Sequence, residues 1–324
     1  MISTGIGRIV KLLVSAGLIT ALLLGLDWEE FIRELRNIDI GLASIAVVLL
    51  SVQYPISAWK WQKSLAAHDL HFGFGFLLKI LCFGAFFNNF LPTAIGGDAY
   101  RAYRTVAPGE KMMRAISAVV LERLMGILAL ALIGALFAGI LIARGQLADP
   151  AIITAGLIAA GIGVVLLGIA YWSRSLHFIW DKITRAPKLM SLAENARVLA
   201  ANRGAVLELF GLSLMFQAIA VSIIAILFDA VDVPGALLES GFVAAIAGVA
   251  AILPISVNGI GVVEGSFVIA ALESNLPYAP AVLVALFLRL YLIASSVVFG
   301  LMYALESGLR IEIPSILSAT DRDG

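Results

Sequence analysis

Two stretches decide how this chain is read: Phe87-Asn88-Asn89-Phe90-Leu91-Pro92-Thr93-Ala94-Ile95-Gly96-Gly97-Asp98, and Leu253-Pro254-Ile255-Ser256-Val257-Asn258-Gly259-Ile260-Gly261-Val262-Val263-Glu264-Gly265. The first closes an apolar run over 73–91, and the second interrupts an apolar run over 236–275. Both read apolar helix, Leu-Pro, a short polar stretch, a glycine pair and a carboxylate, a weak internal repeat with one copy near the middle of each half. An ordinary spanning helix would still lie in hydrocarbon where these breaks fall. Non-helical backbone survives at that depth only when it is buried in protein or lines a wet cavity.

The surrounding sequence supplies the membrane. Apolar runs at 9–26, 40–59, 113–142, 150–172, 204–228 and 279–304 each have the length a helix needs to cross about 30 Å of hydrocarbon. Hydrophobic residues make up 61% of the chain, charged residues 14%, and mean hydropathy is +1.02. Globular domains run at roughly 45–50% apolar and about 25% charged. The runs are apolar on all sides rather than alternating, which excludes a transmembrane β-barrel. The expected fold class is therefore all-α: a polytopic membrane protein of six full spans plus two broken-helix hairpins.

Charge asymmetry gives the hairpins opposite directions. Arg8 and Lys11 place the N-terminus in the cytoplasm by the positive-inside rule. Asp27-Trp28-Glu29-Glu30 makes the next loop external, and the absence of a small-residue cleavage site before it favours an uncleaved first span over a signal peptide. Lys60 and Lys63 then assign the following loop to the cytoplasm. If 73–91 crossed, Arg101, Arg104, Lys111 and Arg114 would lie outside, against the rule; if it dips in and returns, both flanks are cytoplasmic. The segment 173–203 carries Arg174, Lys182, Arg185, Lys188, Arg197 and Arg203 and reads as a cytoplasmic amphipathic linker lying on the membrane surface. The connections 229–235 and 274–280 hold no Lys or Arg and read as external, leaving Arg310 and the C-terminus inside. The result is one transmembrane domain over 1–324, with inverted halves at 1–145 and 146–310. Oppositely inserted broken-helix hairpins are an architecture of inverted-repeat transporters.

The net charge is zero, 22 basic residues against 22 acidic ones, so no basic field points to nucleic acid. Gly259-Ile260-Gly261-Val262-Val263-Glu264 imitates a dinucleotide loop, but Glu stands where the last glycine belongs and no strand–helix unit surrounds it. There is no ATPase phosphate loop. His68, His71 and His177 lack ligand spacing, and the lone Cys82 lies in an apolar run and reads as a structural thiol. No cofactor, metal or catalytic role is expected.

The informative residues are charges inside apolar runs. Glu122 and Arg123 lie well within the third full span and Arg289 well within the last, and each costs about 2.5–3.5 kcal/mol on insertion scales. Adjacent helical residues point about 100° apart, so Glu122 and Arg123 do not neutralise each other. Arg123 and Arg289 need other partners, for which Asp98, Glu122 and Glu264 are the candidates. These charges read equally as structural ion pairs or as a substrate site. A guanidinium fork suits phosphate, helix N-termini add backbone donors, and Asn88, Asn89 and Asn258 add neutral amides. Glycines Gly96, Gly97, Gly259 and Gly261 let backbone approach a headgroup and shape a cavity.

The string Asn88-Asn89-Phe90-Leu91-Pro92 … Gly96-Gly97-Asp98 … Arg101, with Leu121-Glu122-Arg123-Leu124 and Gly259-Ile260-Gly261-Val262-Val263-Glu264-Gly265, resembles the lysylphosphatidylglycerol synthetase transmembrane family. This flippase-like family belongs to bacterial and archaeal inner membranes, and the resemblance covers residues 10–305. It implies translocation of a lipid with a polar, phosphate-bearing headgroup, membrane lipids as partners, and a possible lipid-modifying enzyme partner. The soluble aminoacyl-transferase domain of the two-part enzymes has no counterpart in these residues, so only translocation is expected to carry over. On that reading Arg123 and Arg289 hold phosphate, Glu122, Asp98 and Glu264 balance charge, and Arg101 belongs to the same substrate-binding set. The rival expectations are an ion- or proton-coupled transporter of a small soluble solute, and a membrane subunit of a lipid-modifying enzyme.

Overall fold

Four runs of apolar residues become helices long enough to cross a bilayer. They lie within α3 (Ile40–Ala66), α6 (Met112–Ala143), α7 (Arg203–Ala230) and α10 (Tyr278–Ser307). The computed structural model describes residues 2–90, 96–106, 112–147, 202–252 and 256–307. Six further helices complete it: α1 (Ile2–Leu24), α2 (Trp28–Asn37), α4 (Phe74–Phe90), α5 (Gly96–Arg104), α8 (Leu237–Ile252) and α9 (Val262–Glu273). No strand occurs among the described residues. The expected span 150–172, nearly all of the linker 173–203, and the Leu-Pro dipeptides at 91–92 and 253–254 lie outside them.

Local signals set the helix starts. Asp27 accepts from Glu29 N and Glu30 N at 3.0 and 3.2 Å, capping α2. Asp39 does the same for α3 through Leu42 N at 3.0 Å, and Asn202 caps α7 through Ala205 N at 3.3 Å. Gly261, at φ +82, opens α9, and its N–H is taken by Glu264 Oε2 at 2.7 Å.

The short helices pair as two hairpins. α4 has 17 residues and α8 has 16, which at 1.5 Å per residue is about 24–26 Å each. α5 runs back along α4: the Phe87 and Tyr100 rings lie 4.8 Å apart, and Asn88 Oδ1 accepts from Gly97 N at 2.7 Å. A Cβ on Gly84 would lie 3.1 Å from the Gly97 carbonyl oxygen, so the two backbones touch glycine to glycine. α8 runs opposite to α6, with Gly241 against Phe137 and Gly248 against Leu130. Asn275, just past α9, donates to the Gln146 carbonyl beyond the end of α6 at 2.6 Å. The end of α9 therefore lies level with the start of α8.

The two hairpins open at opposite ends of the bundle. Tyr278 OH donates to the Leu22 carbonyl at 2.8 Å and Asp39 N to the Ala230 carbonyl at 2.9 Å. These contacts put the ends of α1 and α7 and the starts of α3 and α10 at the end where α8 begins. At the other end, Lys63 pairs with Glu208 at 2.7 Å and Lys79 with Glu306 at 2.6 Å. Gln62 donates to the Phe72 carbonyl there at 2.9 Å, just before α4 begins. Each hairpin sits in its own apolar core. Trp61, Leu65, Leu77, Ile80 and Phe83 surround α4 and α5; Phe228, Phe242, Val243, Phe267 and Val282 surround α8 and α9.

One charge assignment is corrected. Lys60 is not a loop residue, because α3 continues to Ala66 and carries Lys60 into the bundle at 5% exposure. Arg101 likewise belongs to α5 and is 5% exposed. Neither is a loop charge, so Lys60 and Arg101 no longer count toward the expectation that those flanks are cytoplasmic.

Candidate functional site

The first turn of α5 carries Asp98 and the next carries Arg101, three residues on and on the same face. α6 crosses them and presents Glu122 and Arg123. The side chains form a closed chain of charge: Glu122 binds Arg101 Nη2, Asp98 accepts from Arg101 Nη1 at 3.3 Å, and Arg123 forks onto Asp98. In the fork, Nε reaches Oδ2 at 3.1 Å and Nη2 reaches Oδ1 at 2.9 Å. Arg101 and Glu122 are both buried, and the Arg101 guanidinium stacks 4.3 Å from the Trp61 ring. Arg123 differs. Its side chain keeps 55% of its surface open while its inner edge is held by Asp98. The outer edge, with Nη1, makes no hydrogen bond to a described residue.

That edge faces a cavity of about 400 Å³ bounded by α3, α4, α5, α6, α7 and α10. Its polar lining is Asn88, Asp98, Arg101, Glu122 and Arg123, with an amide from Gln53 and a hydroxyl from Ser57 of α3. Much of the rest is aliphatic, with Leu50, Leu81, Ile223, Ile224, Leu288 and Leu292 among it. Two phenols are tethered at the α3–α10 seam, Tyr54 to Ser295 at 3.0 Å and Tyr291 to Ser51 at 2.9 Å.

The remaining sequence candidates form a second, separate cluster where the hairpin tips meet. Arg289 Nε binds Glu264, which is 2% exposed, and Arg289 Nη1 reaches the Asn258 carbonyl at 3.4 Å. Asn258, at φ +51, occupies the left-handed region that Asn tolerates better than most residues. Its amide donates to Asn89, which donates in turn to Ser296 and, at 3.4 Å, to the Leu292 carbonyl. Asn89, at the end of the first hairpin's outgoing helix, thus meets the turn of the second.

Of the thirteen residues singled out from sequence, Asn88, Asp98, Arg101, Glu122 and Arg123 line the large cavity. Arg289, Glu264, Asn258, Asn89, Gly259 and Gly261 belong to the tip junction, while Gly96 and Gly97 are buried at the start of α5. The cavity lies beside the first hairpin rather than between the tips, and Arg123 and Arg289 do not converge on one point of it. Gly97 serves the hairpin rather than the cavity: a Cβ there would collide with the Gly84 carbonyl and stand 2.7 Å from the Asn88 amide. Sequence reasoning missed Gln53 and Ser57 of the cavity lining. The signal was their spacing of four residues along α3, which puts both on one face.

An all-helical core with spanning-length apolar helices and a charged internal cavity defines a multi-pass integral membrane protein. The family model described as the lysylphosphatidylglycerol synthase TM region matches residues 8–300, and the chain belongs to that family. No curated protein and no solved structure matches it.

Proposed function

We propose that the protein is a flippase, moving a phospholipid or another lipid with a phosphate-bearing headgroup from one leaflet of the cytoplasmic membrane to the other. The observation that carries this reading is the mixed lining of the cavity. Four charged side chains, one of them the half-open Arg123, share it with aliphatic residues such as Leu50, Leu81, Ile223, Ile224, Leu288 and Leu292. A soluble solute has little use for the apolar lining; a lipid uses both kinds of surface. The family's lysylphosphatidylglycerol connection supports a lipid as cargo.

Stripping a headgroup of water in hydrocarbon costs several kcal/mol per unpaired polar group. Arg123 offers paired N–H donors to phosphate in the geometry that an Arg fork provides. Asp98 holds the guanidinium in place, and Arg101 and Glu122 fix Asp98. The substrate meets a prearranged donor set without having to organise it. No bond is made or broken in the lipid, so the chain acts as a transporter and not as an enzyme.

In this reading α4–α5 and α8–α9 are re-entrant hairpins inserted from the cytoplasmic and external faces, 150–172 supplies the sixth span, and both termini are cytoplasmic. The test is leaflet exchange of fluorescent phospholipids in proteoliposomes, followed by dithionite quenching. Faster exchange than in protein-free vesicles is expected for at least one phosphate-bearing lipid. Uptake of a soluble phosphate compound with no lipid exchange would replace this reading with solute transport.

A further inference from the structure

Among the described residues, Lys60 is a buried cation that lacks a carboxylate partner. Arg101 has Asp98 and Glu122, and Arg289 has Glu264. Lys60 is as buried as Arg101, at 5% exposure, yet no carboxylate of the described residues comes within ion-pair distance. Its Nζ lies 5.0 Å from the centroid of the Phe216 ring and beside Gly126, where an added Cβ would stand 3.8 Å away. An aromatic face offers an ammonium some electrostatic compensation, but no counter-charge.

Its position relates it to the cavity. Phe216, under the ammonium, is part of the cavity lining, and so are Ser57 and Gln53, one and two turns earlier on the same face of α3. Neither Gln53 nor Ser57 makes a side-chain hydrogen bond to a described residue. The four charges of the polar lining cancel, Asp98 and Glu122 against Arg101 and Arg123. Among the described residues near that lining, Lys60, on a flexible four-carbon stem, is the buried basic group left over from this cancellation.

We propose that Lys60 is a substrate-selecting residue: its ammonium, with Ser57 and Gln53, gives the cavity one net positive charge that a phosphodiester without a cationic group of its own neutralises. The chemical class selected is a lipid of net negative charge, such as a phosphatidylglycerol-type headgroup. A zwitterionic headgroup brings its own ammonium, which Lys60 repels. This assignment rests on the phosphate-lipid reading of the cavity, but its test reads binding separately from movement.

The binding arm titrates detergent-solubilised protein with short-chain phosphatidylglycerol, short-chain phosphatidylcholine and free glycerol phosphate, followed by intrinsic tryptophan fluorescence. Wild-type protein is expected to bind the phosphatidylglycerol about tenfold more tightly than the phosphatidylcholine, the size of effect one charged hydrogen-bond partner gives. K60M is expected to bring that ratio close to one, and K60R to restore it. The thermal midpoint of ligand-free K60M is expected to equal or exceed that of wild type, because removing an uncompensated buried charge relieves its desolvation. The movement arm repeats the comparison as leaflet exchange in proteoliposomes, with the same collapse of preference expected in K60M.

A phosphatidylglycerol preference that K60M retains overturns the proposal, and so does a wild-type protein that favours the zwitterion. Glycerol phosphate binding as tightly as the lipid moves the anion site to a soluble solute and overturns the lipid assignment. A Lys60-dependent binding preference without any leaflet exchange upholds the anion site and removes the flippase reading.

Discussion

Arg123 and Arg289 look alike in sequence, each an arginine within a spanning helix, but the structure gives them different work. Arg289 is 13% exposed and closed against Glu264, whereas Arg123 is held on one edge and open on the other. Glu264→Gln should therefore destabilise the fold by about 3–5 kcal/mol, leaving a buried guanidinium without its counter-charge. A lowered thermal midpoint and loss of monodisperse protein in detergent would show this; an unchanged midpoint would contradict it. Arg123→Lys should leave the fold intact but lower lipid exchange about tenfold or more, since a point charge cannot grip Asp98 and phosphate with one planar group. Full exchange by that variant would remove Arg123 from the site. Glu122, Arg123 and Arg289 were legible in the sequence because a charge in an apolar run costs energy wherever it falls. Lys60 was not, because a lysine at the edge of an apolar run reads as the end of the span. Only the continuation of α3 to Ala66 shows otherwise.

At the scale of elements, the α4–α5 hairpin depends on two glycines in contact. Gly97→Leu reads from sequence alone as a plug for the cavity, but the structure moves the effect into the hairpin. Even Gly97→Ala must push the strand of backbone at Gly84 away, and overpacking of this kind costs about 1–3 kcal/mol. The expected readout is faster proteolysis within 84–105 at unchanged overall helicity; wild-type protection would mean the hairpin closes elsewhere. His68, just after α3, gives that end of the bundle a pH response. It is buried, its Nδ1 donates to the Ser64 carbonyl at 2.8 Å, and burial holds its pKa below the ordinary 6.5. A base with a depressed folded-state pKa costs stability once pH falls below its unfolded value, because protons then favour the unfolded chain. The thermal midpoint should drop as pH falls below about 6.5, and less steeply in His68→Gln. The described helices were legible from hydropathy, and the turn before α9 from Asn258, Gly259 and Gly261. Which helices wall the cavity was not, because that depends on how α3, α7 and α10 pack and no local pattern encodes it.

The whole molecule places the ends of its helices in two sets, which can be tested by labelling. In a Cys82→Ala background, cysteines replacing His71 and Arg104 should react from one side of the membrane and those replacing Asp232 and Pro277 from the other. Opposite-side reaction within either pair would restore ordinary crossing helices. The placement of charge across the bundle has a mechanical consequence. The ion pairs inside the bundle fall into two clusters, each closed within neighbouring helices: Asp98, Arg101, Glu122 and Arg123 on α5 and α6, Glu264 and Arg289 on α9 and α10. What ties the first hairpin's tip to the second is Asn89, Asn258 and Ser296, all neutral. Parting that seam exchanges a few amide and hydroxyl bonds, each worth about 1 kcal/mol net, and strands no ion in hydrocarbon. The hairpin tips are thus joined by an uncharged latch between two ion-paired clusters, so separating the tips breaks no ion pair.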